Sequence, residues 1–261
     1  MGWKDVFSYV RAAAADKGVT KKEARADDGV PLGARIGSVV QLQVSPIVRA
    51  QGAGSLVAMP QPGDTRILAL SQLTLQPDTA LYRLYLATGD ADAKERFLQV
   101  LEGDGDRPAE VLYCTQLARV IPETAEDQDA YTGQAGYGLG DQGYTLWREQ
   151  LADTLDDATL AAAFGDADRL DYSRDAGSPG AAFVAPFQGR ETRIDDAQGV
   201  RGLRQELYFM PYVRRLQDGT REYLLITTEI VESVDGDASR RGIHVDFVIG
   251  IPMEPERIVV Q

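Results

Sequence analysis

Apolar and polar positions alternate with a period of two over much of this chain, and the alternation is longest between Leu203 and Ile251. Two runs, 205–216 and 222–232, flank the sequence Gln217-Asp218-Gly219-Thr220. In the first run Leu207, Phe209, Pro211 and Val213 share one face, and Tyr208, Met210 and Tyr212 share the other. In the second, Tyr223, Leu225, Thr227 and Glu229 oppose Leu224, Ile226, Thr228 and Ile230. A third run, His244 to Ile251, puts Val245, Phe247, Ile249 and Ile251 on one side. Asp-Gly between two alternating runs predicts a hairpin with a type I′ turn, which needs positive φ at both central positions. Three such strands with an apolar face can nucleate a sheet.

Upstream, shorter runs repeat the pattern: Val39–Val44, Arg66–Leu70, Leu73–Leu75, Leu81–Leu86, Arg96–Leu101, Glu110–Ala118 and Ala182–Thr192. The whole of Ile36–Leu75 reads as short strands punctuated by Pro46, Gly52, Gly54, Pro60, Pro62 and Gly63, and Glu256–Val260 as an edge strand. Helical pattern is sparse. Pro122–Ala130, rich in acids, suits a short helix. Asp153 or Asp157 can cap another that runs through Ala161–Ala163. Residues 166–180 are polar and read as loop. Short strands without long following helices argue against a doubly wound parallel sheet. They predict a β-rich α+β fold of predominantly antiparallel sheets, a sandwich or partly open barrel, with a few short helices.

Charge divides the chain. Residues 1–25 hold six Lys/Arg and three Asp/Glu, net +3; the remaining 21 basic and 37 acidic residues give −16, and the total is −13. An acidic surface of this kind does not displace counterions from phosphates, so nucleic acid is not an expected partner. Within the basic segment Trp3, Val6, Phe7 and Val10 recur at helical spacing. That face suits a membrane surface or a partner's groove, but a helix docked on its own domain or a frayed tail is the weightier reading, because the helix is short. The expected organisation is a basic amphipathic segment and linker over 1–29 and a β-rich main body over 30–261, with two subdomains divided near 122–145 left open. The lone cysteine, Cys114, allows no disulfide within the chain and sits in a strand, where a buried structural thiol is expected. No apolar run long enough to span a membrane and no signal-peptide layout are present, so a cytoplasmic location, with a peripheral contact on the inner membrane, is expected.

Candidate chemistry is thin. His244 is the only histidine, so any Ser/His/Asp or Cys/His machine would need it as base. Asp246, two residues on, shares its strand face. Gly-x-Ser-x-Gly, Cys-x-x-Cys and His-Glu-x-x-His are all absent from the sequence. Asp235, Asp237 and Ser239 place oxygens at calcium-loop positions, with Asp246 at the twelfth, but Arg240 stands where glycine is required and the flanks are strands. A hairpin loop is the weightier reading. Gly138-x-Gly140-x-x-Gly143 spells a dinucleotide fingerprint without the strand that should precede it, and reads better as a glycine-rich lid or contact loop. Arg214, Arg215 and Arg221 with Glu206, Glu222 and Glu229 are expected in exposed cross-strand ion pairs of little energetic weight. These patterns imply no cofactor, metal or catalytic residue. His244, Asp246, Asp235 and Asp237 form the candidate ligand site, and Trp3, Val6, Phe7 and Val10 the candidate partner or membrane face.

Pro31-Leu32-Gly33-Ala34-Arg35-Ile36-Gly37-Ser38-Val39-Val40 resembles the opening of the YjfK-like family, a bacterial domain of unknown function. So do Arg96-Phe97-Leu98-Gln99-Val100, Gly143-Tyr144-x-x-Trp147-Arg148, and Arg221-Glu222-Tyr223-Leu224-Leu225 followed by Gly250-Ile251. The resemblance implies gene neighbourhoods shared with phage-shock-type membrane-stress proteins, and it carries no catalytic residues. The function expected is therefore a non-enzymatic interaction module serving envelope or membrane stress, with a membrane-associated stress protein as partner. The alternative is a small-ligand binder or enzyme built on His244, Asp246 and the 235–241 loop. A structural subunit using a sheet edge is the third possibility.

Overall fold

Strands that are apolar on both faces need cover on both sides and partners on both edges. In the computed structural model this need is met by closure. The structure describes residues 27, 29–76, 79–89, 94–103, 108–195, 202–231 and 242–261. In chain order they form β1 (Val39–Leu42), α1 (Ser45–Gly52), β2 (Thr65–Leu75), β3 (Thr79–Leu86), β4 (Arg96–Leu101), β5 (Glu110–Val120) and α2 (Ala125–Thr132). There follow β6 (Gly143–Trp147), α3 (Asp157–Phe164), β7 (Arg169–Arg174), β8 (Phe187–Ile194), β9 (Gly202–Arg215), β10 (Arg221–Val231), β11 (Gly242–Pro252) and β12 (Ile258–Val260).

Every pairing among these strands is antiparallel. The order β2-β3-β4-β5-β11-β10-β9-β8 returns to β2, which closes an eight-stranded barrel. The β-rich antiparallel fold with short helices agrees with the sequence pattern; the sandwich or partly open barrel does not. β8 makes the difference, because it pairs with β9 on one edge and β2 on the other. Gly189 permits that approach: a Cβ there would lie 2.6 Å from the Thr74 carbonyl oxygen and 2.7 Å from Leu75 Cδ2. Two extensions leave the barrel: β12-β1 along the start of β2, and β6-β7 along the end of β9.

Local departures have local causes. The β9–β10 hairpin forms, but only Gly219 in its turn has positive φ, at 85°. Gly219 N donates to Leu216 O and Leu216 N to Thr220 O, giving a three-residue loop with the glycine in the left-handed position instead of a type I′ turn. Residues 45–52 are helical, with Pro46 in the first turn, where its missing N–H costs nothing. The Pro-Gly punctuation of a strand region thus concealed a helix start. β7 lies inside the stretch read as loop, with Leu170 and Tyr172 alternating inward. Asp156, and neither Asp153 nor Asp157, caps α3 by accepting from Thr159 N at 2.8 Å.

Both barrel faces are apolar over much of their length. The outer wall, including Leu84, Leu98, Tyr113, Leu224 and Ile249, is covered by Leu56, Leu139, Leu160 and Phe164. The glycine-rich stretch is part of that cover: Leu139 is buried, and Gly140 N donates to Tyr212 Oη at 2.9 Å. One buried ionic knot holds the cover down. Arg214 Nε and Tyr172 Oη donate to Glu222 Oε1 at 2.6 and 2.7 Å, while Leu56 N and Ser55 Oγ donate to Oε2. Arg214 also donates to Gly54 O at 2.7 Å. Register pairs Arg214 directly with Glu222, as expected, but Glu222 is fully buried, so the pair is not an exposed one.

Candidate functional site

Side chains on alternate positions of all eight strands point into the lumen. Reading along β10, these are Tyr223, Leu225, Thr227 and Glu229; along β3, Leu81, Arg83 and Tyr85; along β8, Phe187, Gly189, Glu191 and Arg193. The lumen therefore changes character from one end to the other. Register sets Leu81 beside Leu73 and Leu101, whereas Arg83 sits beside Ser71 and Gln99.

The polar end is a layer of charged and polar side chains, of which Arg83, Glu191, Glu229 and Asp246 are buried. Arg83 is 2% exposed and donates to Gln99 Oε1 at 3.3 Å and to Thr227 Oγ1 at 2.9 Å. Burial works against its charge, but Tyr85, Glu191 and Glu229 outweigh this and raise its pKa. Asp246 receives Arg119 Nε at 2.6 Å, Arg119 Nη2 at 2.5 Å and Gln116 Nε2 at 2.8 Å. Arg193 pairs with Glu95 at 2.9 Å and lies over the Tyr85 ring. Glu191 Oε2 accepts from Gln205 Nε2 at 2.7 Å. Within this layer four buried oxygens have no hydrogen-bond partner among the described residues: Glu229 Oε2, Glu191 Oε1, Gln205 Oε1 and Ser71 Oγ. Burial, followed by repulsion from Glu191 and Asp246, pushes the Glu229 carboxyl well above the usual range; Arg119 and Arg83 pull it back only in part.

The other end opens into an apolar mouth, a cavity of about 240 Å³. Leu81, Leu101, Leu112, Phe187, Phe209 and Leu225 form its walls and Gln99 lies on its floor. Its rim carries Glu110, Asp175 and the Tyr223 hydroxyl, and Arg221 lies beside it, 3.7 Å from Glu110 Oε1 and over the Tyr223 ring. Burial and then Glu110 push the Tyr223 phenol up to about 12. Larger concavities lie on the outer surface. One of about 600 Å³ runs past Arg169, Arg215 and Arg221, and is more open than the lumen mouth.

The residues singled out from sequence are placed as follows. Asp246 lies in the polar layer with both oxygens engaged by Arg119. His244 is half-buried and faces Glu229 across the β10–β11 ladder; burial and then Arg119 lower its pKa. Asp235, Asp237, Trp3, Val6, Phe7 and Val10 lie outside the described residues. Among the described residues no group of three His, Cys, Asp or Glu could hold a metal ion, and no helix is long and apolar enough to cross a membrane. Sequence reading missed Arg83, Glu191, Gln205 and Ser71. Their signal was present: Arg83 is in phase with Leu81 and Tyr85, a charge on an otherwise apolar stripe.

A family model described as "Protein of unknown function (DUF2491)" matches residues 15–259. No curated protein and no solved structure matches the chain.

Proposed function

The chain belongs to this family of unknown function, and from that premise we propose that it is a non-enzymatic binding module whose barrel mouth receives an apolar side chain of a partner protein. The apolar mouth carries the reading. Its volume of about 240 Å³ is below that of sites for drug-sized ligands, roughly 300–1,000 Å³, and suits a single side chain. Asp175 on the rim, with Glu110 already paired to Arg221 at 3.7 Å, favours a partner segment that sets a basic residue beside the inserted group. The polar layer beneath is occupied by its own ion pairs, which supports holding over chemistry. The link to envelope stress, a membrane-associated partner and a cytoplasmic, membrane-peripheral location rest on the YjfK-like resemblance and on the basic segment 1–25.

The test uses the full chain with labelled leucine methyls and two capped tripeptides, Lys-Phe-Lys and Lys-Ala-Lys. Saturable shifts at Leu81, Leu101, Leu112 and Leu225 with the phenylalanine peptide alone support the reading, and Leu101→Trp, which fills the mouth, should abolish them. No shift, or equal shifts with both peptides, would sink it.

A further inference from the structure

β7 and β9 diverge after two rungs. They pair at Arg174 with Tyr212 and at Ser173 with Val213, and there their ladder stops. The next rung would set Asp171 against Arg215. Neighbouring bonds fix which way the backbone faces. Asp175 N donates to Pro211 O at 2.9 Å, so the N–H and C=O groups of Ser173, Asp171 and Arg169 point to the β9 side. Leu216 N donates to Thr220 O, so Arg215 turns its own groups away from β10 and toward β7. Between these two edges lies the outer concavity of about 600 Å³, touched by Leu170 and Asp171 from β7 and by Arg214 and Arg215 from β9. Consecutive strand residues point to opposite faces, so a cavity that touches both members of each pair occupies the gap between the strands.

The charges lining this gap are Arg169, Arg214, Arg215 and Arg221 with Asp171 and Asp175. Most are already paired. Arg169 Nε lies 3.3 Å from Asp171 Oδ2, Arg214 is held by Glu222, and Arg221 Nη2 lies 3.7 Å from Glu110. Thr145 Oγ1 also donates to Asp171, at 2.7 Å. Two charges make no ion pair among the described residues: Arg215, whose guanidinium donates to Gly219 O at 3.3 Å, and Asp175. Both are exposed. Asp175 also lines the apolar mouth, so gap and mouth are continuous. From Asp175 to the rung of Asp171 and Arg215 is four residues of strand, about 13 Å.

We propose that the β7–β9 gap receives the partner's segment as a short added strand, which carries an acidic side chain to Arg215 four residues beyond the basic one at Asp175. The inference rests on the binding reading of the mouth and names the chemistry of the segment outside it. Strand addition suits an edge whose N–H and C=O groups face open space. The Arg215 guanidinium, a planar fork without a carboxylate, supplies charge-assisted bonds to the incoming acid. β7 runs toward the mouth and pairs antiparallel with both its neighbours. An antiparallel segment therefore runs from the mouth outward, crosses the face of the Ser173–Val213 rung, and enters the gap at Asp171.

The experiment is an NMR titration of the full chain, read at backbone amides and leucine methyls, with the capped peptide Phe-Lys-Thr-Val-Thr-Glu-Thr. Two controls carry lysine in place of the glutamate, or a methyl on the glutamate's backbone nitrogen. Saturable amide shifts at Asp171 and Arg215 with the parent peptide are expected, with affinity at least tenfold lower for each control. The methylated control keeps its charge but cannot donate to Asp171 O, so it separates strand pairing from charge attraction. Arg215→Glu should weaken the parent peptide at least tenfold and favour the lysine control. Asp171→Pro removes the N–H that faces the gap and spares the β6 ladder, so it should bind at least tenfold more weakly than Asp171→Ala. Should the proline variant not fold, the methylated peptide still decides. No saturable shift at Asp171 and Arg215, or equal binding of the three peptides, overturns the proposal. Methyl shifts in the mouth without amide shifts in the gap sink this inference alone, and the reverse pattern sinks the mouth reading alone.

Discussion

Arg214 Nε lies 2.6 Å from Glu222 Oε1, and Glu222 has no exposure to solvent. The same carboxylate accepts from Leu56 N, Ser55 Oγ and Tyr172 Oη, so one side chain anchors the 53–57 segment and β7 to the barrel wall. Breaking a buried pair on one side strands a charge and costs about 3–5 kcal/mol, whereas replacing both partners by apolar groups costs far less. Arg214→Met should therefore lower unfolding free energy by that amount in urea, and Arg214→Met with Glu222→Leu should recover part of it. A single variant indistinguishable from wild type would show that the knot is not anchoring the cover.

Glu229 gives a stability signature with the opposite slope from a paired carboxylate. Its native pKa is raised, so the unfolded chain ionises first as pH climbs past about 4.3 while the native carboxyl keeps its proton. Native stability falls over that window by up to about 1.4 kcal/mol per pH unit, until the native group titrates. Glu229→Gln removes the penalty. It should exceed wild type in stability at neutral pH, with the gain fading toward about pH 4; urea midpoints across the range check this, and a gain that grows toward acid would contradict it.

Closure of the barrel depends on a missing methyl group. A Cβ at Gly189 would press on backbone and a buried leucine at once, where little can give. Gly189→Ala should cost about 1–3 kcal/mol and raise amide exchange along β8 and its neighbours on β2. Unchanged exchange at Leu73–Leu75 would show that the seam tolerates the extra atom.

Cys114 lies within the wall at 0% exposure, and burial pushes its thiol up to about 12. A disulfide exchange reagent at mildly alkaline pH should leave the folded protein unlabelled and label it fully in denaturant. Rapid labelling without denaturant would contradict this placement.

Strand existence was legible because period-two alternation reports one-sided burial, and the faces read from β9, β10 and β11 are the lumen and outer walls. Closure was not, since nothing in the spacing of Phe187–Ile194 tells that it pairs on both edges. α1 was hidden because Pro46 marks a helix start as readily as a strand break. The polar layer was half visible: Glu229 was placed on the stripe of Tyr223 and Leu225, but an exposed ion pair was inferred where the lumen encloses it. Its neighbours Arg83 and Glu191 come from strands far away in sequence, and only three-dimensional closure brings them to one level. The candidate pair His244 and Asp246 lies at that level, with Asp246 already committed to Arg119.

The position of β11 sets the order in which the molecule can be assembled. It inserts between β5 and β10, so the β2–β5 meander keeps an unpaired edge until residues 242–252 have left the ribosome. β2 likewise waits for β8 to cover its other side. Contacts this distant along the chain are slow to form, on the order of milliseconds to seconds for β-dominated domains. The nascent chain must therefore carry an exposed, apolar sheet margin through about half of its synthesis, and its yield in a cell depends on how well chaperones shield that margin.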